Sequence, residues 1–253
     1  MGNIISIINQ KGGVAKTTTA AALGAGLSFT GKVLMVDLDP QCSLTKITGA
    51  SSAGITAYEV LTGRAKAQEA IQQATGGHII AAGPGLGAEG ILTRTGKEYR
   101  LREALEACKK KYEWIVIDCP PSLGVLSINA LTASNFAIVP ATADRFSLEA
   151  LGQFWDTYEA VHRYTNPALT VMGVLITRYS GRSILSRQAV EMIADEAEKL
   201  GTSLFTTKIR EGIAVKEAQM VGQDIYSYAP KSKPAADYRA FTEEVIHYAQ
   251  KDI

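Results

Sequence analysis

A chain of 253 residues that is 46% hydrophobic and 20% charged can bury a full core, and it fits one domain spanning residues 1–253 better than two. A formal net charge of +1 excludes overall charge as a source of nucleic-acid affinity, so any such contact must come from a local patch. Cys42, Cys108 and Cys119 are widely spaced, with no C-x-x-C pair and no histidines in a metal pattern, which predicts reduced thiols, no disulfide and no zinc.

In chain order, apolar runs suited to buried parallel strands occur at residues 4–8, 33–36, 78–82, 114–117, 136–139 and 171–176. Between and after them, apolar residues at spacings of three and four predict helices over 17–29, 97–110, 123–133, 148–164, 183–200, 213–221 and 235–250. Glycine and proline mark loops at 76–77 and 83–87. The alternation predicts an α/β fold: a doubly wound, mostly parallel sheet with helices on both faces. No stretch of about 18 apolar residues exists to span a bilayer, and a cytoplasmic protein is expected. The opening residues Met1-Gly2-Asn3-Ile4-Ile5-Ser6 match the N-myristoylation pattern, but residues 4–8 read more simply as the first core strand. Only ten residues precede Lys11, so no N-terminal helix-turn-helix is expected.

In such sheets ligands bind at the carboxyl ends of strands, and three strand ends here carry chemistry. The first strand runs into Asn9-Gln10-Lys11-Gly12-Gly13-Val14-Ala15-Lys16-Thr17-Thr18-Thr19. A strand, a glycine turn and a helix start in that order present unpaired N–H groups and the positive end of the helix dipole to an anion. Lys16 would reach the terminal phosphates of a nucleoside triphosphate, and the Thr17 hydroxyl would ligate Mg²⁺. The general phosphate-loop pattern nevertheless fails, because Gln10 and Ala15 stand where it requires glycine. If Ala15 needs a positive φ, alanine there costs on the order of 1 kcal/mol. The other strand ends carry Asp37-Leu38-Asp39-Pro40-Gln41 and Asp118-Cys119-Pro120-Pro121-Ser122. Asp118 ends an apolar strand, a setting for a metal-holding carboxylate. Asp37 and Asp39 lie two apart and would share a face.

The motif Lys11-Gly12-Gly13-x-x-Lys16-Thr17, with its additional leading lysine, resembles the deviant Walker A box of the ParA/MinD family of P-loop ATPases. Asp118-x-Pro-Pro-Ser followed by Leu126-Ser127-Ile128-Asn129-Ala130-Leu131 resembles its ParA/Soj-type partition branch. Likeness continues through residues 209–219 and 228–234, covering nearly the whole chain. The resemblance implies ATP and Mg²⁺ as ligands. Residues 11–18 (Lys11, Gly12, Gly13, Val14, Ala15, Lys16, Thr17 and Thr18) would cradle the nucleotide, and Ile209 and Arg210 would contact the base. Thr17, Asp37 and Asp118 would surround the metal, and Asp39 would orient the attacking water. Lys11 would cross a dimer interface to the partner's nucleotide, joining Lys16 and Asp39 in catalysis.

The resemblance also implies a homodimer formed on ATP binding that binds DNA nonspecifically through basic residues of the C-terminal half. Arg182 is the first choice for that contact, with Arg187 and Lys216. A ParB-like centromere-binding or adaptor protein would stimulate hydrolysis, and the protein would associate with the nucleoid to move a plasmid or chromosome. A positioning ATPase for a protein complex shares this chemistry. A membrane-bound relative would require a basic amphipathic tail, whereas the stripe Tyr238, Phe241, Val245 and Tyr248 is accompanied by Asp237, Glu243 and Glu244 and is expected to pack on the core. An electron-transfer enzyme on this scaffold would need cysteines bridging an iron–sulfur cluster, and Cys119 lacks an evident second ligand.

Overall fold

The computed structural model describes residues 2–88, 95–181 and 183–251. Arg182, the first-choice DNA contact, lies outside the described residues.

Among the described residues, seven strands form one sheet: β1 (Asn3–Ile7), β2 (Val33–Asp37), β3 (Ile71–Ala74), β4 (Gly77–Ile80), β5 (Trp114–Asp118), β6 (Phe136–Thr142) and β7 (Thr170–Thr177). Their order is β3-β4-β2-β5-β1-β6-β7, with β3 antiparallel to β4 and every other pairing parallel. Ten α-helices accompany it among those residues. They are α1 (Lys16–Leu27), α2 (Ser43–Ile47), α3 (Ala57–Thr62), α4 (Arg100–Leu105), α5 (Val125–Ala133), α6 (Phe146–Tyr164), α7 (Ile184–Lys199), α8 (Ile213–Met220), α9 (Ile225–Tyr228) and α10 (Lys233–Lys251).

Helices on both faces explain why the central strands are apolar throughout rather than alternating. Ile5, Ile7, Met35 and Val116 enter one core with Leu23 and Leu27 of α1 and Tyr238, Phe241 and Val245 of α10. Ile4, Leu34, Val36 and Ile117 enter the other, with Leu101, Leu105, Leu131 and Phe154. The α10 stripe therefore packs on the core as its spacing predicts, and Tyr248 sits edge-to-face on Phe136.

All six predicted strands form. β3 was not predicted, because Ile71-Gln72-Gln73-Ala74 carries too little apolar pattern; it is a half-exposed edge strand paired through the turn at Thr75-Gly76. The helix predicted over 97–110 is shorter, with a 3₁₀ turn at Lys97–Tyr99 and α4 ending at Leu105. Beyond it the chain tightens into i→i+3 bonds, Cys108 N–H to Leu105 and Lys111 N–H to Cys108, and the Lys109 carbonyl accepts Gly2 N–H at 3.1 Å. That contact and the tightened turns lead the chain toward β5. The short helices α2, α3 and α9 were also unpredicted. α3 nevertheless opens with a capping box in which Thr56 N–H donates to Glu59, a signal present in Thr56-Ala57-Tyr58-Glu59.

Candidate functional site

The site lies at the carboxyl ends of β2, β5, β1, β6 and β7, where parallel order brings five loops together. From β1 the chain crosses residues 8–15 and enters α1 at Lys16. Ala15 is the N-cap with φ 63° and ψ 31°, a left-handed conformation. The doubt raised by its side chain is thus a real backbone cost of about 1 kcal/mol, retained in the loop. Gly13, at φ 75°, supplies the other left-handed turn without that cost. No side chain caps α1. Its first-turn N–H groups consequently point into the site with no partner from a capping residue, the arrangement an anion fills.

Lys16 is almost fully buried, and its Nζ donates to the Lys11 carbonyl at 3.0 Å. Burial lowers its pKa, with Asp118 first among the acidic neighbours that oppose the shift. A desolvated ammonium at this point gains from an approaching phosphate. Val14 is anchored from below, its carbonyl accepting the Thr177 hydroxyl at 3.1 Å.

Asp37 and Asp118 face each other in register on β2 and β5. Both are fully buried. The Asp37 carboxylate accepts three hydrogen bonds, from Asp39 N–H to Oδ1 at 3.0 Å and from Thr45 N–H and Oγ1 to Oδ2 at 2.8 and 2.7 Å. Burial pushes its pKa up to about 6 against the pull of these bonds, and Asp39's charge adds to the rise. Neither oxygen of Asp118 has a partner in good hydrogen-bond geometry, the Thr17 hydroxyl making only a loose approach to it. Its pKa is raised well above the carboxylate range by burial and then by Asp37, while Thr17 and Lys16 act the other way. Two adjacent buried carboxylates, one of them only loosely approached by a hydroxyl, fit a cation on chemical grounds. No group of three or more His, Cys, Asp or Glu side chains forms a closed metal cage among the described residues. That composition suits Mg²⁺, which takes one or two carboxylates and completes its shell with water and substrate phosphates. Asp39 follows β2; its Oδ1 accepts Gln41 N–H at 2.9 Å, bending residues 39–42 over the site.

Lys11 departs from the rest of the loop. Its Nζ sits 2.6 Å from each oxygen of Asp144, 3.0 Å from Thr142 Oγ1 and 3.4 Å from Ser147 Oγ. Its backbone is fixed by Asn9, whose Oδ1 accepts Lys11 N–H and whose Nδ2 donates to the Pro140 carbonyl. Within one chain, then, Lys11 is held at the end of β6. Sequence reasoning missed Asp144, although the strand-end rule that found Asp37 and Asp118 applies equally to Thr142-Ala143-Asp144.

Beside the loop lies a cavity of about 250 Å³, lined by Gly13, Ala15, Thr18, Ile209, Arg210 and Lys216, among others. Ile209 is brought there by pairing with β7: its N–H donates to Ile176 and its carbonyl accepts from Tyr179. Arg210 is locked by Asp237 of α10, which accepts Nε at 2.8 Å, Nη2 at 2.5 Å and the Arg210 N–H at 2.9 Å. Asp237, one of the acids accompanying the apolar stripe of α10, is largely buried. Gln219 Nε2 donates to Thr18 Oγ1 at 2.9 Å. Lys216 lines this cavity from α8, whereas Arg187 is exposed on α7. Two further basic residues of this half are already neutralised, Arg178 by Glu211 at 3.0 Å and Arg210 by Asp237.

Comparison with known proteins bears on this geometry. A family described as an AAA domain matches residues 2–171. The sporulation initiation inhibitor protein Soj of Bacillus subtilis is 40% identical over 252 residues, covering 97% of this chain and 98% of that protein. The chromosome partitioning protein ParA of Caulobacter vibrioides is 38% identical, covering 96% and 93%. Among solved structures, cobyrinic acid a,c-diamide synthase from Mycobacterium smegmatis, bound to ADP and magnesium, superposes with a TM-score of 0.87 at 35% identity, covering 100% of this chain and 97% of that one. Full-length relatedness at this level, on a sheet with a phosphate loop and paired strand-end aspartates, places the chain in the AAA-domain family, on its Soj/ParA branch of chromosome-partitioning ATPases.

Proposed function

We propose that this protein is a DNA-partition ATPase whose ATP-bound homodimer binds DNA nonspecifically and whose slow hydrolysis, stimulated by a ParB-like partner, releases it. The observation that carries the nucleotide chemistry is the buried pair Asp118 and Asp37, with Asp118 only loosely approached by the Thr17 hydroxyl, beside Lys16 and the uncapped start of α1. Mg²⁺, when bound, supplies charge neutralisation at the phosphates, and Asp118, Asp37 and Thr17 are the residues that would hold it. Lys16 and the N–H groups of residues 12–18 bind the phosphates. Ile209 and Arg210 wall the base. The cavity alone is smaller than the roughly 300–1,000 Å³ of whole-ligand pockets, which suits a base and sugar whose phosphates lie along the loop.

Hydrolysis then asks for positioning more than covalent help. Asp39 orients the attacking water. Lys11 leaves Asp144 and reaches the nucleotide of the second subunit, neutralising charge on the transferring phosphate as an arginine supplied in trans does. ATP binding favours the dimer because only the dimer completes the site, and hydrolysis loosens it. The cysteines speak against thiol or iron–sulfur chemistry on this scaffold: all three are buried, and burial raises the thiol pKa of Cys108 and Cys119, the reverse of activation.

The test is DNA binding with ATP, ADP and no nucleotide over a salt series, for the wild type and for Arg182→Ala, Arg187→Ala and Lys216→Ala. ATP-dependent affinity that falls steeply with salt is expected. Binding that ignores salt or nucleotide would remove the DNA assignment.

A further inference from the structure

Asp37 needs three donors to remain in place, and two of them belong to one residue. Thr45, on α2, is 1% exposed. Its N–H and hydroxyl both donate to Asp37 Oδ2, and the same hydroxyl accepts Ala82 N–H at 2.9 Å. One oxygen atom therefore joins the phosphate-side carboxylate to the chain leaving β4. That stretch is itself tightly seated. A Cβ on Gly83 would lie 2.6 Å from the Thr56 hydroxyl, and one on Gly85 would lie 2.6 Å from the Tyr58 ring. Gly87 approaches Pro40, the residue after Asp39. Asp37, Asp39 and the loop at residues 82–88 thus share one packed, hydrogen-bonded wall with Thr45 as its polar centre. A buried hydroxyl that is both donor and acceptor fixes direction as well as distance, and losing it leaves Ala82 N–H without its partner.

We propose that Thr45 is a positioning residue for the hydrolytic step: its hydroxyl orients the Asp37 carboxylate beside Asp118 and, through the Asp37 bond to Asp39 N–H, sets where the 39–42 segment begins. The proposal rests on the ATPase reading of the site. Thr45 reaches neither substrate phosphate nor water; it acts through Asp37. Its loss therefore lowers turnover by misplacing groups, for which a displacement near 1 Å costs on the order of 10²-fold in rate, while the phosphate loop continues to bind nucleotide.

The experiment compares Thr45→Val, which keeps shape and removes the hydroxyl, with Thr45→Ser, which keeps the hydroxyl. Steady-state ATPase of the full chain gives kcat and KM, and hydrogen exchange of the nucleotide-free protein reports the Ala82 amide. Thr45→Val should lower kcat by about tenfold or more with KM within about threefold, and should speed exchange at Ala82. Thr45→Ser should restore turnover to within about threefold of wild type and keep Ala82 protected. Turnover of Thr45→Val within about twofold of wild type, or equal impairment in Thr45→Ser, overturns the proposal. In the first case an active wild type leaves the ATPase reading standing. A wild type that hydrolyses no ATP overturns both.

Discussion

The proposed phosphate side and the proposed base side of the site are built by different means. On the phosphate side the groups come from one contiguous segment, residues 11–18, and from aspartates at the ends of β2 and β5, placed by backbone geometry with side-chain holds from Thr45 on Asp37 and from Asp144 on Lys11. On the base side the cavity is assembled from the C-terminal parts β7, residues 209–212, α8 and α10 against Gly13, Ala15 and Thr18, and it is fixed by side-chain pairs such as Arg210–Asp237. The first construction leaves weakly satisfied groups at the site: an uncapped helix start, a desolvated ammonium and a buried carboxylate approached only loosely by Thr17. The second leaves few, since its charges already have partners. Chemistry should therefore reside on the phosphate side and affinity should be tuned on the base side, so variants on the two sides should separate kcat from KM.

The largest effect is expected from Lys11→Ala. If the lysine acts in trans, hydrolysis falls on the order of 10³-fold while ATP binding is retained, read by single-turnover hydrolysis beside equilibrium nucleotide binding. Unchanged turnover would sink the in-trans role and leave Lys11 as a structural partner of Asp144.

Asp118→Asn comes next, with turnover down on the order of 10²-fold and, in the opposite direction, a more stable nucleotide-free protein. The stability sign follows from the carboxylates. Asp37 titrates near pH 6 in the folded state, above its ordinary 3.8, so the folded state holds the extra proton between those values. Stability in Mg²⁺-free buffer should accordingly rise as pH falls from 7.5 to 5.5. Asp144 and Glu59, whose pKa values are lowered, lose their contribution only at more acid pH. Thermal unfolding across this range checks the point, and Asp118→Asn should flatten the slope.

On the base side, Asp237→Asn should raise KM for ATP by about tenfold, the cost of weakening a charge-assisted pair, with kcat nearly unchanged. A fall in kcat with constant KM would erase the distinction between the two sides. The smallest effect belongs to Ala15→Gly, which relieves the left-handed strain but adds freedom to the unfolded chain. A gain of at most about 1 kcal/mol is expected in denaturant unfolding.

Much of this was legible before any coordinates. Apolar runs found six strands because burial on both faces leaves no other pattern for a central parallel strand. The motif at residues 11–17 and the strand-end aspartates found the phosphate side because each is a local arrangement. The glutamine-rich edge strand β3 was not legible, since its stability comes from pairing with β4 rather than from its own side chains. Nor was the shortened α4, where a carbonyl taken by Gly2 turns the chain.

Thr45, Asp144 and Asp237 show the boundary most clearly. By itself the sequence determined the fold class, the phosphate loop with its strained Ala15, and the carboxylates at the strand ends, because these depend on neighbours along the chain. Only the tertiary structure decided that Asp118 is left loosely held while Asp37 is thrice bonded, that Lys11 rests on Asp144, and that Arg210 is clamped by the C-terminal helix α10. Those contacts span from a few residues to more than a hundred and are set by packing, which brings residues together according to where helices and strands dock, whatever their order along the chain.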